Sequence, residues 1–450
     1  MKQRTSLLIR RDPDVPPGRL LPGLCALLAF AVSGTVAADE TADTHGTGEA
    51  VEDGARAAAS EPAASAAEET FDESLDEVAI DVRSSIDVAD DREGASFFGD
   101  TRLSYIFDGE DLQGISLGKT DVLRLRWRLA AEGRFLKGMR GSISVAGLCS
   151  TEDCSLEGLL QPDISSAASI RDGEMTIDSA FLQWFRSDRY DIAIGRMQTK
   201  FVARGGVFSK SMDRNDSNNL RVNWTDGLHT TYRGVRGWDS HLIVQYNSED
   251  GASNIKRLPL DFSSDKSRAS YYVALESKKA LRRMVQRTLS VSYLPSSLAT
   301  NGLMNSTRED YWGVVGRLAL RWPVRDEGWR LRTSGEVAYA GKTPINSAAG
   351  IAGDGDTGGL AWALTVSIMD FVPRHSFGVN YARTEAGWLL SPQYTPNEEL
   401  YEARYMYRPT DRITLDVRGR WRYDLRDRLI DIPDRNNFDF YARATWSFGT

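Results

Sequence analysis

The sequence predicts an all-β protein: a transmembrane antiparallel β-barrel of about sixteen strands, with long external loops and short periplasmic turns. Three observations predict it. From residue 96 onward, apolar and polar side chains alternate with period two, as on strands with one apolar and one wet face. The links between successive alternating segments are short and long in turn. Barrels of the outer-membrane type sort their connections this way, with an even strand number. Beyond the first forty residues no stretch is continuously apolar for eighteen residues, so no helix is available to span a bilayer.

The alternation is clearest near the two ends of this region. In 121–133, Leu123, Leu125, Trp127 and Leu129 share one face, and Arg124, Arg126, Arg128 and Glu132 share the other. In 413–423, Ile413, Leu415, Val417 and Trp421 oppose Thr414, Asp416, Arg418, Arg420 and Arg422. In 437–448, Phe438, Phe440, Trp446 and Phe448 oppose Asp439, Tyr441, Arg443 and Thr445. Sixteen such segments are read: 96–107, 120–134, 139–148, 174–185, 190–201, 226–232, 238–247, 267–276, 287–293, 311–322, 329–339, 359–369, 375–383, 401–407, 413–423 and 437–448. In 174–185 the alternation does not keep one phase, and 226–232 and 287–293 are short. Each even segment is followed by a short link such as FLKG, RSDR or RPTDR, each odd one by a longer link. Aromatic pairs such as Phe97 and Phe107, or Trp312 and Trp322, bracket several segments. At about 3.4 Å per residue and a tilt near 45°, ten residues rise roughly 24 Å, the height of a lipid-facing band.

Two segments precede the barrel. Residues 1–38 carry basic side chains, then the apolar run LLPGLCALLAFAV, then small residues, and read as a secretory signal that is removed. Residues 39–95 hold eighteen acidic and three basic side chains. That composition buries too little apolar surface to offset chain entropy, so the segment is expected to be mostly disordered. Phe71, Leu75, Val78, Val82 and Ile86 form one helical stripe, which reads either as a short helix within 70–88 or as a transient helix in a linker. The formal charge of −8 belongs to this lead-in, because 96–450 holds forty-seven basic and forty-three acidic side chains.

With the apolar face toward lipid, the other face lines the interior. That face holds Arg102, Arg124, Arg126, Arg128, Arg317, Arg321, Arg330, Arg332, Arg404, Arg418, Arg420, Arg422 and Arg443. Fewer acids join them: Asp100, Glu132, Glu276, Glu336, Glu402, Asp416 and Asp439. In a closed ring the last three strands adjoin the first two, so their arginines form one basic wall. Low-dielectric walls focus the field of such charges, and arginine stays ionised. This predicts a water-filled channel that prefers anions. The alternative is that inward arginines pair with inward acids and hydrate a general pore. Cys149 and Cys154, in an oxidising compartment, are expected to form a small loop-closing disulfide.

A cleaved signal, an acidic lead-in and sixteen alternating strands resemble bacterial porins. The stretch 178–201, DSAFLQWFRSDRYDIAIGRMQTKF, is similar to a strand–turn–strand pattern of the phosphate-selective porin superfamily that ends in Gly-Arg, here Gly195-Arg196. The resemblance implies passive diffusion of small hydrophilic solutes through the outer membrane of a Gram-negative bacterium, and a homotrimer. It also implies that the third long link, 202–225, folds into the lumen. This link carries Arg204, Lys210, Arg214 and Arg221 against Asp213 and Asp216. One departure stands out: porin barrels end on an aromatic residue, whereas Gly449 and Thr450 follow Phe448 here.

The expected partners are outer-membrane lipid and small anionic or polar solutes, with no nucleic acid, cofactor or metal. Three cysteines and four histidines exclude the multi-cysteine metal patterns and leave little for a histidine site. An outer-membrane enzyme would need a nucleophile beside a histidine base. His229, His241 and His375 have no such motif beside them, and His229 and His241 read as polar lining. A structural or adhesive barrel without a conducting lumen is the other alternative.

Overall fold

In the computed structural model the described residues are 95–450, except 113–114, 117–119, 159–169, 171, 200, 214–223, 236, 249–257, 278–280, 302–306, 324–328, 392, 430–434 and 450. They belong to one compact unit, Ser74–Thr450. The signal, the acidic lead-in and the helix expected within 70–88 lie outside the described residues.

Sixteen long strands follow one another: β1 (Ala95–Leu112), β2 (Thr120–Leu136), β3 (Met139–Ser150), β4 (Glu174–Ser187), β5 (Tyr190–Met197), β6 (Thr225–Val235), β7 (Trp238–Tyr246), β8 (Ala269–Ser277), β9 (Met284–Ala299), β10 (Arg308–Pro323), β11 (Arg330–Ala340), β12 (Leu360–Val372), β13 (His375–Thr384), β14 (Glu398–Thr410), β15 (Ile413–Asp424) and β16 (Arg435–Gly449). Two further strands have two residues each, Ile115–Ser116 and Glu157–Gly158, and extend loops. No α-helix occurs among the described residues. Every long strand pairs antiparallel with its neighbour in sequence. The sheet closes because β1 pairs on one side with β2, from Ala95↔Gly133 to Asp108↔Thr120, and on the other with β16, from Phe98↔Gly449 to Leu112↔Arg435. A closed barrel satisfies its backbone donors and acceptors internally and has no free edge, the condition for a sheet in lipid.

The sixteen segments read from the period are the sixteen long strands, and the differences lie at their ends and in one phase. β9 extends well beyond 287–293 at both ends. Its pairing with β10 shifts between Leu294 and Leu298, next to Pro295, which has no N–H for the ladder. In β4 the register with β3 shifts between Ser144 and Val145, so that Ser144 faces Ser179 and Val145 faces Ile177. Asp178 is the extra residue, and both it and Ser179 are buried. This bulge is why 174–185 kept no single phase: one inserted residue moves everything after it to the opposite face.

The outward face is apolar. Leu103, Leu129, Ile143, Leu182, Ile194, Val273 and Leu364 are all exposed. Phe97, Tyr246, Tyr339 and Trp446 stand among the exposed aromatics toward strand ends. The connections are sorted by length. Five of the seven links that follow even strands contain two residues, whereas β3–β4, β5–β6, β7–β8 and β11–β12 are joined by much longer loops at the other end. With the short turns periplasmic, cysteines placed at Ser187 and Asp356 report opposite sides. An impermeant thiol reagent added to intact cells should label Asp356→Cys and spare Ser187→Cys. Labelling at 187 alone inverts the orientation.

Candidate functional site

The interior wall made by β14, β15, β16, β1 and β2 concentrates arginine. Alternation puts these side chains inward, and the register sets them side by side. Arg102 lies opposite Arg126, and Arg404 opposite Arg418. Like charges directly opposed across strands repel. Carboxylates set into the same wall offset this. Asp100 pairs with Arg126 and lies 3.1 Å from Arg102. Asp416 lies 3.2 Å from Arg404 and 2.8 Å from Arg443. Asp439 lies 2.6 Å from Arg420 and 3.6 Å from Arg422. Arg128 is 2.6 Å from Asp178, the bulged residue of β4, which also accepts from Gln198 at 2.7 Å. Arg124 reaches Asp172, in the loop before β4, at 2.7 Å. The Arg418 guanidinium sits 3.8 Å from the centre of the Tyr441 ring.

Across the barrel, β10 carries Arg317 and Arg321, and β11 carries Arg330 and Arg332. Arg317 and Arg332 are buried. Arg330 pairs with Asp370 at 2.9 Å, and Arg321 is half-buried.

The segment from Phe201 to Asp213, in the loop after β5, enters the barrel and reaches the far wall. The carbonyl of Val202 accepts from Gln286 of β9 at 2.9 Å. The Arg204 backbone N–H donates to the same side chain at 2.8 Å. Ser367 of β12 donates to the Gly205 carbonyl at 2.6 Å, and Arg404 donates to that of Val207 at 2.7 Å. Lys210 pairs with Glu402 of β14. Met212 N–H donates to Glu336 of β11 at 2.6 Å, and Asp213 pairs with Arg317 of β10. The approach is close enough to require glycine. Gly206 has φ +86°, and a Cβ there would lie 2.5 Å from Ser367 Cβ; only glycine adopts such a conformation without strain. Arg214, Asp216 and Arg221 lie outside the described residues.

A second inward loop, between β13 and β14, was not anticipated from the sequence. Trp388, Leu389, Leu390 and Tyr394 are buried against Tyr311, Val315, Ala338, Ala361, Ala382 and Leu400. Trp388 Nε1 donates to the Met212 carbonyl at 2.8 Å, and Ser391 to that of Ser211 at 2.7 Å. The two loops therefore brace each other. One side of the interior is thus a packed apolar cluster, where the alternation alone implied a polar lining. The apolar run Trp388-Leu389-Leu390 inside a long external link was the available signal.

Cys149 and Cys154 are disulfide-bonded at the outer end of β3. His375 stacks on Tyr407 at 4.3 Å in the opposite rim. His229 and His241 face the interior from β6 and β7 and touch at 3.2 Å. No group of three or more His, Cys, Asp or Glu side chains suited to a metal ion occurs among the described residues.

The class these features define is a sixteen-stranded antiparallel barrel, apolar outside, with a charged inner wall and an inward loop. In fold the chain is similar to OprB of Pseudomonas putida in its high-pH structure: TM-score 0.54, 11% sequence identity, 79% of this chain and 94% of that one covered. It also aligns with a BenF-like porin from Pseudomonas fluorescens Pf-5 (TM-score 0.48, 14% identity, 80% of this chain and 99% of that one). OccAB4 of Acinetobacter baumannii aligns similarly (TM-score 0.48, 11% identity, 80% and 99%). No family model and no curated protein matches the sequence.

Proposed function

We propose that the protein is a porin of the Gram-negative outer membrane, a non-enzymatic channel for passive diffusion of small hydrophilic solutes with a modest anion preference. One observation carries the reading: a closed barrel, apolar outside, holds an arginine-rich wall and a pinned inward segment on its inside. Nine of the inward arginines named above lie on the five contiguous strands of that wall, from Arg404 to Arg128, with the carboxylates Asp100, Glu132, Glu398, Glu402, Asp416 and Asp439. The excess is basic, but the ion pairs and the Asp178 and Asp172 contacts consume much of it. A small residual field biases ion entry and is screened as salt rises. The pairing also explains why this preference is modest, unlike that of a row of solvated arginines.

The refolded protein in a planar bilayer should conduct. A salt gradient should give a reversal potential favouring chloride over potassium, and the preference should weaken with rising ionic strength. A cation-selective channel removes the anion preference, and a silent barrel leaves the structural or adhesive alternative.

A further inference from the structure

We infer that His229, His241 and Thr231 form a site for a divalent transition-metal ion, with copper preferred over zinc. The inference goes beyond the channel reading and needs only the folded barrel. It starts from strand geometry. His229 and Thr231 are two apart on β6 and so share its inward face. His241 of β7 is the direct cross-strand partner of Thr231. Three donors thus meet on one patch of wall.

Their spacing is that of metal ligands. His229 Nε2 is 3.2 Å from His241 Nδ1, and Thr231 Oγ1 is 3.5 Å from each. Donors at about 2.0–2.1 Å lie about 2.8 Å apart in the cis positions of a tetragonal ion and about 3.4 Å apart around a tetrahedral one, so a small closure of this triangle suits copper. The three atoms therefore already form the triangular face that an ion would cap.

The surroundings favour the ligating form of His241. Its Nε2 faces Glu276 at 3.9 Å, and Glu276 is held by Gln286 Nε2 at 3.3 Å. At 3.9 Å this carboxylate is beyond hydrogen-bond length, but its charge favours the proton on Nε2, which leaves Nδ1 to bind metal. Phe201 meets the His241 ring edge-on at 5.2 Å and contacts Tyr272 at 4.9 Å, which restricts the ring from the apolar side. His241 is buried and His229 only partly so, so solvent reaches the patch from His229 and supplies the remaining ligands. Two imidazoles and a hydroxyl bind more weakly than a closed structural zinc site. Among first-row divalent ions such a nitrogen set binds copper most tightly.

The test uses the mature chain from residue 39, which lacks the signal and its Cys25, refolded in detergent. Equilibrium dialysis against copper chloride, with bound metal counted by mass spectrometry, should give one copper per chain. The electron paramagnetic resonance spectrum should show coupling to two imidazole nitrogens. His229→Ala and His241→Ala should each weaken binding about tenfold or more, and Glu276→Gln by a lesser factor. His375→Ala should change nothing. If an alanine variant fails to refold, His229→Gln and His241→Gln retain bulk and polarity and answer the same question. Copper held equally by the double variant, or a spectrum without nitrogen coupling, overturns the site. Bilayer recording of the same preparation keeps the two readings apart. A silent barrel that still binds copper through these residues removes the channel and leaves the site. A conducting barrel that binds none does the reverse.

Discussion

Arg126→Glu should cost the barrel at least about 3–5 kcal/mol, or prevent folding altogether. Arg124→Glu, two residues away on the same face of the same strand, should cost less than about 1 kcal/mol. The two arginines differ in what surrounds them. Arg126 and its partner Asp100 both have side chains with no solvent exposure, and the pair shares its pocket with Arg102 and Arg128. Glutamate there would set a second carboxylate against Asp100 where water does not reach, and would remove a counter-charge at the same time. Arg124, by contrast, is 29% exposed and pairs with Asp172 in a loop. Water solvates whatever replaces it. The measurement is the temperature at which the folded, fast-migrating band converts on a gel, supported by urea unfolding in micelles. Equal effects at the two positions would mean that the interior wall is wet throughout. Lumen positions usually tune selectivity more than stability; Arg126 departs from that because its ion pairs fill the space that water occupies elsewhere.

The same contrast marks the boundary of what the sequence could convey. Period two assigns a side chain to a face, so the inward placement of Arg126, Arg317 and Arg443 was legible from alternation alone. It does not assign partners, because these come from register and from chain far away in sequence. Asp178 was absent from the expected inward acids because the bulge at Ser144–Val145 flips the phase of β4. Glu398 was missed because β14 begins three residues before the alternation becomes regular. Lys210 and Asp213 were expected at a constriction. Their partners Glu402 and Arg317 lie 192 and 104 residues further along the chain, a separation no local pattern encodes. The Trp388 loop shows another limit. Its apolar run contradicts an exposed loop, but only the barrel interior shows where that surface is buried. The pair Gly205-Gly206 was a comparable signal: two glycines in a long loop indicate a close backbone approach, and here the approach is to Ser334 and Ser367.

If the segment from Phe201 to Asp213 narrows the channel, replacing Arg204–Met212 with a short Gly-Ser linker should raise single-channel conductance at least about twofold. Conductance follows the narrowest cross-section. This segment crosses from β5 to contacts on β9, β10, β11, β12 and β14. The barrel itself should survive, because its sheet closes through β1, β2 and β16 on the other side. Some stability should be lost, since Glu402 would lose Lys210, and Arg317 would lose the Ser211 hydroxyl that it now meets at 2.8 Å. A milder version keeps every charge. Gly206→Val would force a side chain into Ser367 in a backbone conformation that valine resists. That should displace the segment without deleting it, giving noisy conductance with a larger mean. The two variants together locate the constriction. If both leave conductance unchanged, the limiting aperture is set by the other inward loop. Trp388→Ala, which empties the centre of its apolar cluster and removes the hydrogen bond to Met212, should then produce the increase instead.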